Sequence, residues 1–159
     1  MEFLLCDTPF GQMGLGQEEE ALVRLYLPNT PMPRLISRET PLLKEAEEQL
    51  LAYCAGERKE FSLPFQFRGT EFQKDVWQCL MKIPYGTVCT YKEVAAAVGK
   101  PKAFQAVGAA IGKNPLPVFV PCHRVLGTDG SLTGYAGGLE LKAQLLNLEG
   151  IRYREQEKH

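Results

Sequence analysis

Pro121-Cys122-His123-Arg124-Val125 sets a thiol beside an imidazole and a guanidinium, directly after the apolar run Val118-Phe119-Val120. A thiol reacts as its thiolate, and a nearby cationic or basic group lowers the cost of forming it. The apolar run would bury the site and shield it from competing water. This order of residue types describes a nucleophile in a dry pocket. Cys6, Cys54, Cys79 and Cys89 lack such company and read as structural. Five cysteines is an odd count and no pair has C-x-x-C spacing, so no disulfide framework is expected. His123 and His159 are the only histidines, too few for a Cys/His zinc site, so no metal is expected.

The elements that must position this thiol follow from periodicity and punctuation. Residues 3–6, 13–15 and 21–27 read as short strands, separated by Gly11, Gly14 and Gly16 in the manner of an antiparallel meander. Residues 29–41, with Pro31, Pro33 and Pro41, form a surface connection. Leu42, Leu43, Ala46, Leu50 and Tyr53 fall near a 3.6 period, which predicts a helix over 41–55 that Gly56 ends. Residues 65–67 are a further candidate strand, and the boundary between halves falls at 67–69. Beyond it Thr70 caps a helix carrying Phe72, Val76, Leu80 and Ile83 on one face, with Trp77 widening it as a core residue. Pro84-Tyr85-Gly86 stops that helix. Thr90 caps another over 91–98, Gly99 ends it, and Pro101 starts a helix running to about Lys113. Residues 118–120 are expected to be extended, 128–131 to turn, and 139–148 to form a last helix with Leu141, Leu145 and Leu148 inward. The tail 154–159 is expected to fray. The fold class is therefore an α/β domain with a small antiparallel sheet (1–69), then a mainly α domain containing a helix-turn-helix (70–159).

Composition bounds the function classes. The chain has 159 residues, 45% hydrophobic and 23% charged, which suits a soluble globular protein with a real core. No apolar run approaches the roughly 20 residues of a membrane span, and the first residues lack a basic n-region, so neither membrane nor signal peptide is expected. A reducing cytoplasm is the expected compartment, at the nucleoid in a bacterium or archaeon and in the nucleus of a eukaryote. Net charge is −1, divided as −4 over residues 1–69 and +3 over 70–159. The basic half suits nucleic acid, as it suits a solvated surface.

Val94, Ala95 and Val98 would pack on Phe104, Val107 and Ile111, the pattern of a helix-turn-helix. The opposite face of the second helix offers Ala103, Ala106, Ala109, Ala110 and Gly112, with no long side chain to read bases in a major groove. Close helix packing accounts for such a face; so does backbone approach to a minor groove only about 6 Å wide. Lys100, Lys102 and Lys113 at the helix ends suit phosphates.

The cysteine motif, with Asn114-Pro115 upstream and Gly134-Tyr135-Ala136-Gly137-Gly138 downstream, resembles the 6-O-alkylguanine-DNA alkyltransferases, the methylated-DNA–protein-cysteine methyltransferases of direct repair. The resemblance runs from about residue 70 to 150, through Phe72 to Trp77, Tyr85-Gly86, Thr90-Tyr91, Ala106-Val107-Gly108, Lys142 and Glu149. It implies that a damaged guanine is flipped out of double-stranded DNA, independently of sequence. The alkyl group then passes irreversibly to Cys122, one molecule per lesion, with no cofactor and in a monomer. It further implies that His123 is the base, acting through water, and Glu149 its orienter. Asn114 shapes the turn beside the pocket, and Tyr91 donates toward the departing guanine. Tyr135 and Ile111 line the base, and the backbone at Val125 and Ala136 reads its edges. DNA contacts fall to Lys102, Gln105, Ala106 and Tyr91, while Arg124 braces the site.

Gln105 departs from the pattern, which has arginine there to fill the hole left by the flipped base. Glutamine is shorter, uncharged and a poorer stacker. That departure supports a second expectation, a lesion-binding sensor that flips without repairing, although such proteins typically carry tryptophan in place of the cysteine. A transcription regulator with Cys122 as a sensor thiol would need base-reading side chains. A cysteine hydrolase would need an oxyanion hole, for which no signal is present.

Overall fold

The computed structural model describes residues 1–154 and divides into two compact units, Met1–Arg68 with Pro115–Phe119, and Gly69–Asn114 with Val120 onward. The first unit holds the antiparallel sheet β1 (Glu2–Thr8), β2 (Gly11–Glu18) and β3 (Ala21–Tyr26), in that order, with Leu4 opposite Leu15 and Leu15 opposite Leu25. Phe3, Cys6, Met13, Leu15, Leu22 and Leu25 are buried. Gly14 is required by close approach: a Cβ there would stand 2.6 Å from the Phe3 ring. Helix α1 (Pro41–Cys54) starts where Thr40 accepts from the Leu43 amide, with Pro41 in the first turn, and it buries Leu43, Ala46, Leu50 and Tyr53. The strand expected over 65–67 reduces to a single bridge from Phe65 to Leu22. Pro64, which accepts from the Leu22 amide but has no N–H to give, stops the ladder there.

The second unit is mainly helical: α2 (Glu71–Met81), α3 (Tyr91–Ala97), α4 (Phe104–Gly112) and α5 (Leu139–Leu148), with two short strands, β4 (Cys89–Thr90) and β5 (Val125–Leu126). Thr70 and Thr90 make complete capping boxes with Gln73 and Glu93. Trp77 is buried in α2 and donates its indole N–H to the Ala110 carbonyl at 2.8 Å. Helix α3 ends in a Schellman motif, with Lys100 N–H bonded to Ala95 O and Gly99 N–H to Ala96 O. Gly99 takes φ +77°, a left-handed turn open to glycine at no steric cost.

The structure corrects several expectations. Pro101 and Lys102 form a turn closed by the Ala103 N–H on the Lys100 carbonyl, and α4 begins only at Phe104, with Ala103 as an N-cap that has no side-chain hydrogen bond. Phe104 is 43% exposed instead of packing on α3, while Ala110, expected on the open face, is buried beneath Trp77. Val118 is not extended but sits at φ +74°, an unusual conformation for a β-branched residue. In α5 Lys142 and Leu146 are buried with Leu141 and Leu145, and Leu148 only partly so. Arg154, placed in the fraying tail, bridges to Ser131; the rest of that tail, 155–159, lies outside the described residues. Among the described residues no helix is long and apolar enough to cross a membrane.

Candidate active site

Cys122 begins a single 3-10 turn, Cys122–Arg124, which passes directly into β5. Side chains in such a turn do not alternate from side to side as they would in an extended chain. The turn is held from afar: Arg124 donates through Nη1 to the Ile83 carbonyl at 2.7 Å, and through Nε and Nη2 to Glu149 at 2.8 and 3.1 Å. The same carboxylate meets His123 Nε2 at 2.6 Å and accepts from the Gly86 amide at 3.0 Å. Glu149 caps the C-terminal end of α5. Its side chain and that of His123 are wholly buried. Burial alone would raise the Glu149 carboxyl; the hydrogen bonds from His123 and Arg124 outweigh it and hold the group down at about 2. An ionised carboxylate only accepts, so His123 Nε2 carries the proton and Nδ1 the lone pair. Burial lowers the His123 pKa, against the pull of Glu149, and favours that neutral ring.

Burial pushes the Cys122 thiol up to about 11, against hydrogen bonds from Asn114 and Tyr135 and the charge of Lys142, all of which favour the thiolate. Asn114 also donates to the Val120 carbonyl at 2.9 Å. Tyr135 is half-buried in the loop before α5. The parallel pairing of β4 with β5 sets Cys89 opposite Val125 and Thr90 opposite Leu126, so Tyr91, the first residue of α3, follows beside the thiol's own segment. The Tyr91 hydroxyl lies 2.8 Å from Thr133 Oγ1.

Among the other expected site residues, Val125 is buried and gives its carbonyl to Lys142 Nζ at 2.7 Å. Ala136 is exposed in the loop before α5. Ile111 sits on the inward face of α4 with Val107 and Ala110, a core position. Gln105 and Ala106 are exposed on α4, and Lys102 is exposed in the turn ahead of it.

Sequence reasoning assigned no role to Lys142 or Thr133. Lys142 is fully buried, and burial lowers its ammonium to about 8 while the charge of Cys122 raises it. One signal was available for it: Lys142 shares a helical face with Leu145 and Leu146, an apolar stripe where a lysine needs a reason. For Thr133, proximity to Tyr135 in sequence was the only hint.

This arrangement can activate a buried thiol as a nucleophile and supply protons to a leaving group. Residues 71–151 match the family described as the DNA-binding domain of 6-O-methylguanine DNA methyltransferase. The constitutive methylated-DNA–protein-cysteine methyltransferase of Bacillus subtilis is 48% identical over 96% of this chain and 98% of its own. The methylated-DNA–protein-cysteine methyltransferase of Methanosarcina barkeri is 42% identical over 94% of this chain and 97% of its own. The crystal structure of Mycobacterium tuberculosis OGT in complex with DNA superposes with a TM-score of 0.87 at 40% identity, covering 94% of this chain and 92% of that one. A buried cysteine turn of this construction, in a chain alike from end to end to these proteins, belongs to the methylated-DNA–protein-cysteine methyltransferase family of DNA-repair proteins.

Proposed function

We propose that Cys122 is the alkyl acceptor and that the substrate is a 6-O-alkylated guanine flipped out of duplex DNA. The observation that carries this is the buried Cys122 thiol at the head of a turn that Glu149 and Ile83 hold through His123 and Arg124, with Asn114, Lys142 and Tyr135 favouring its thiolate. His123 Nδ1 takes the thiol proton through a bridging water, and Glu149 keeps the ring in the tautomer that can accept it. The thiolate, a soft nucleophile, attacks the alkyl carbon. The S–C bond forms as the O–C bond breaks, and guanine leaves with the electron pair. The resulting thioether has no good leaving group for water to displace, so each molecule acts once.

Tyr135 lines the base, the backbone at Val125 and Ala136 meets its edges, and Tyr91 donates toward the departing ring. Gln105, Ala106 and Lys102 face the duplex from α4 and the turn before it. Ala106, Ala109 and Gly112 leave the exposed side of α4 without long hydrogen-bonding side chains beyond Gln105. Such a surface suits backbone approach independent of sequence. One chain supplies the thiol, its base and its orienter, so a monomer suffices for the reaction.

The test is intact mass after mixing the protein with duplex DNA carrying one 6-O-methylguanine, wild type beside Cys122→Ala. One added methyl group on wild type alone, with guanine restored, is the expected result. Binding without a mass change would point to a sensor and defeat the reading.

A further inference from the structure

We propose that Thr133 is a positioning residue for protonation of the leaving base: its hydroxyl bridges the Lys142 ammonium and the Tyr91 hydroxyl and turns the Tyr91 proton toward the substrate. This rests on the acceptor role of Cys122 set out above.

The geometry starts from Lys142, whose Nζ lies 2.7 Å from the Val125 carbonyl, 3.3 Å from the Thr133 carbonyl and 3.3 Å from Thr133 Oγ1. All three are neutral oxygens, and an ammonium can only donate to them. Thr133 Oγ1 thus accepts from Lys142 and stands 2.8 Å from the Tyr91 hydroxyl. Dipoles along such a chain align head to tail away from the cation. Thr133 then donates to Tyr91, and the Tyr91 proton points away from Thr133. The reverse orientation would aim the positive end of the tyrosine O–H back toward a buried ammonium.

The same chain balances the protons of the reaction. The thiolate and the Lys142 ammonium begin as opposite charges within the site. Once the O–C bond breaks, the guanine anion takes the Tyr91 proton. Tyr91 takes one from Thr133, and Thr133 one from Lys142. The products are a neutral thioether, a neutral guanine and a neutral amine, with the original thiol proton left on His123 and no co-reactant. The release is timed by the chemistry: the Cys122 charge supports the Lys142 ammonium, and alkylation removes that charge while burial continues to disfavour the cation.

The experiment compares Thr133→Val and Thr133→Ser with wild type in two reactions of Cys122. One is single-turnover methyl transfer from 6-O-methylguanine in duplex DNA. The other is alkylation by iodoacetamide, whose iodide leaves without a proton. Thr133→Val should slow methyl transfer by about 10- to 100-fold and leave iodoacetamide alkylation within about twofold of wild type, since no general acid is needed there. Thr133→Ser, which keeps the hydroxyl, should restore methyl transfer. Unchanged methyl transfer in Thr133→Val would overturn the proposal, and so would an equal loss of both reactions, which marks a structural role. A wild-type protein that reacts with iodoacetamide but takes no methyl group from DNA overturns the underlying reading, and the proposal with it.

Discussion

Both units of this protein bury thiols, and the comparison shows what turns one of them into a nucleophile. Cys54 in the first unit is pushed up to about 11 by burial alone. Cys6 rises further, through burial and then its hydrogen bond and charge repulsion with Glu47. Cys122 in the second unit reaches the same level as Cys54, about 11, but from a contest in which Asn114, Lys142 and Tyr135 oppose burial. Similar upward shifts therefore conceal different sites. The surroundings repeat the contrast. Among the described residues the first unit buries one polar side chain, Gln49, whereas the second buries His123, Arg124, Lys142 and Glu149. One region is an apolar core with incidental thiols; the other holds paired charges out of water for the sake of a thiol.

The sharpest way to break that contrast is to exchange the thiols for alanine. Cys122→Ala should abolish methyl transfer, and Cys54→Ala should retain it in full at a cost of about 1 kcal/mol in stability; intact mass and urea unfolding read the two. Glu149→Gln should come next, because it leaves Arg124 buried without its counter-charge. A loss of about 3–5 kcal/mol is expected, again by urea unfolding. The sign with pH follows from a folded-state carboxyl held at about 2 against an ordinary 4.5. Its stabilising contribution is complete above about 4.5 and is lost as pH falls toward 2. Unfolding midpoints measured from pH 6 to pH 2 should therefore fall less steeply in Glu149→Gln than in wild type.

Lys142→Met separates stability from function. Replacing a buried cation by an apolar chain of similar length should change stability by less than about 2 kcal/mol, while methyl transfer drops at least about tenfold. A melting curve and a single-turnover rate on the same sample decide it. A smaller gain is expected from Gln105→Arg, which should raise the rate on duplex DNA several-fold and leave the rate on free 6-O-methylguanine unchanged. Equal duplex rates would mean that position 105 does not assist flipping. The smallest effect is reserved for the turn between α3 and α4. Gly99→Ala meets no neighbour but must hold φ +77°. It should cost about 1 kcal/mol in thermal unfolding, without altering iodoacetamide reactivity at Cys122.

Much of this was legible before any fold was known. Thr70 and Thr90 announced helix starts because a capping hydroxyl bonds an amide three residues away, an interaction contained in the local sequence. Gly99 announced a helix end for the same local reason. The failures fall where partners are distant. Pro101 reads as a helix start, yet the residues after it turn once more before α4 begins. Val118-Phe119-Val120 reads as a strand, yet Phe119 packs in the first unit against Phe61 and Phe65, and the chain reaches it through a left-handed Val118.

Sequence by itself determined the chemistry that was available: one thiol beside an imidazole and a guanidinium, the acid and asparagine that accompany them, and helices whose caps and apolar stripes are written in neighbouring residues. Tertiary structure alone decided how that chemistry is wired. The Cys122 turn is held by Ile83 and Glu149, 41 and 25 residues from Arg124. The longer bond of the Lys142–Thr133–Tyr91 chain spans 42 positions. Hydrogen bonds of that span depend on packing of whole elements, and no local pattern encodes them.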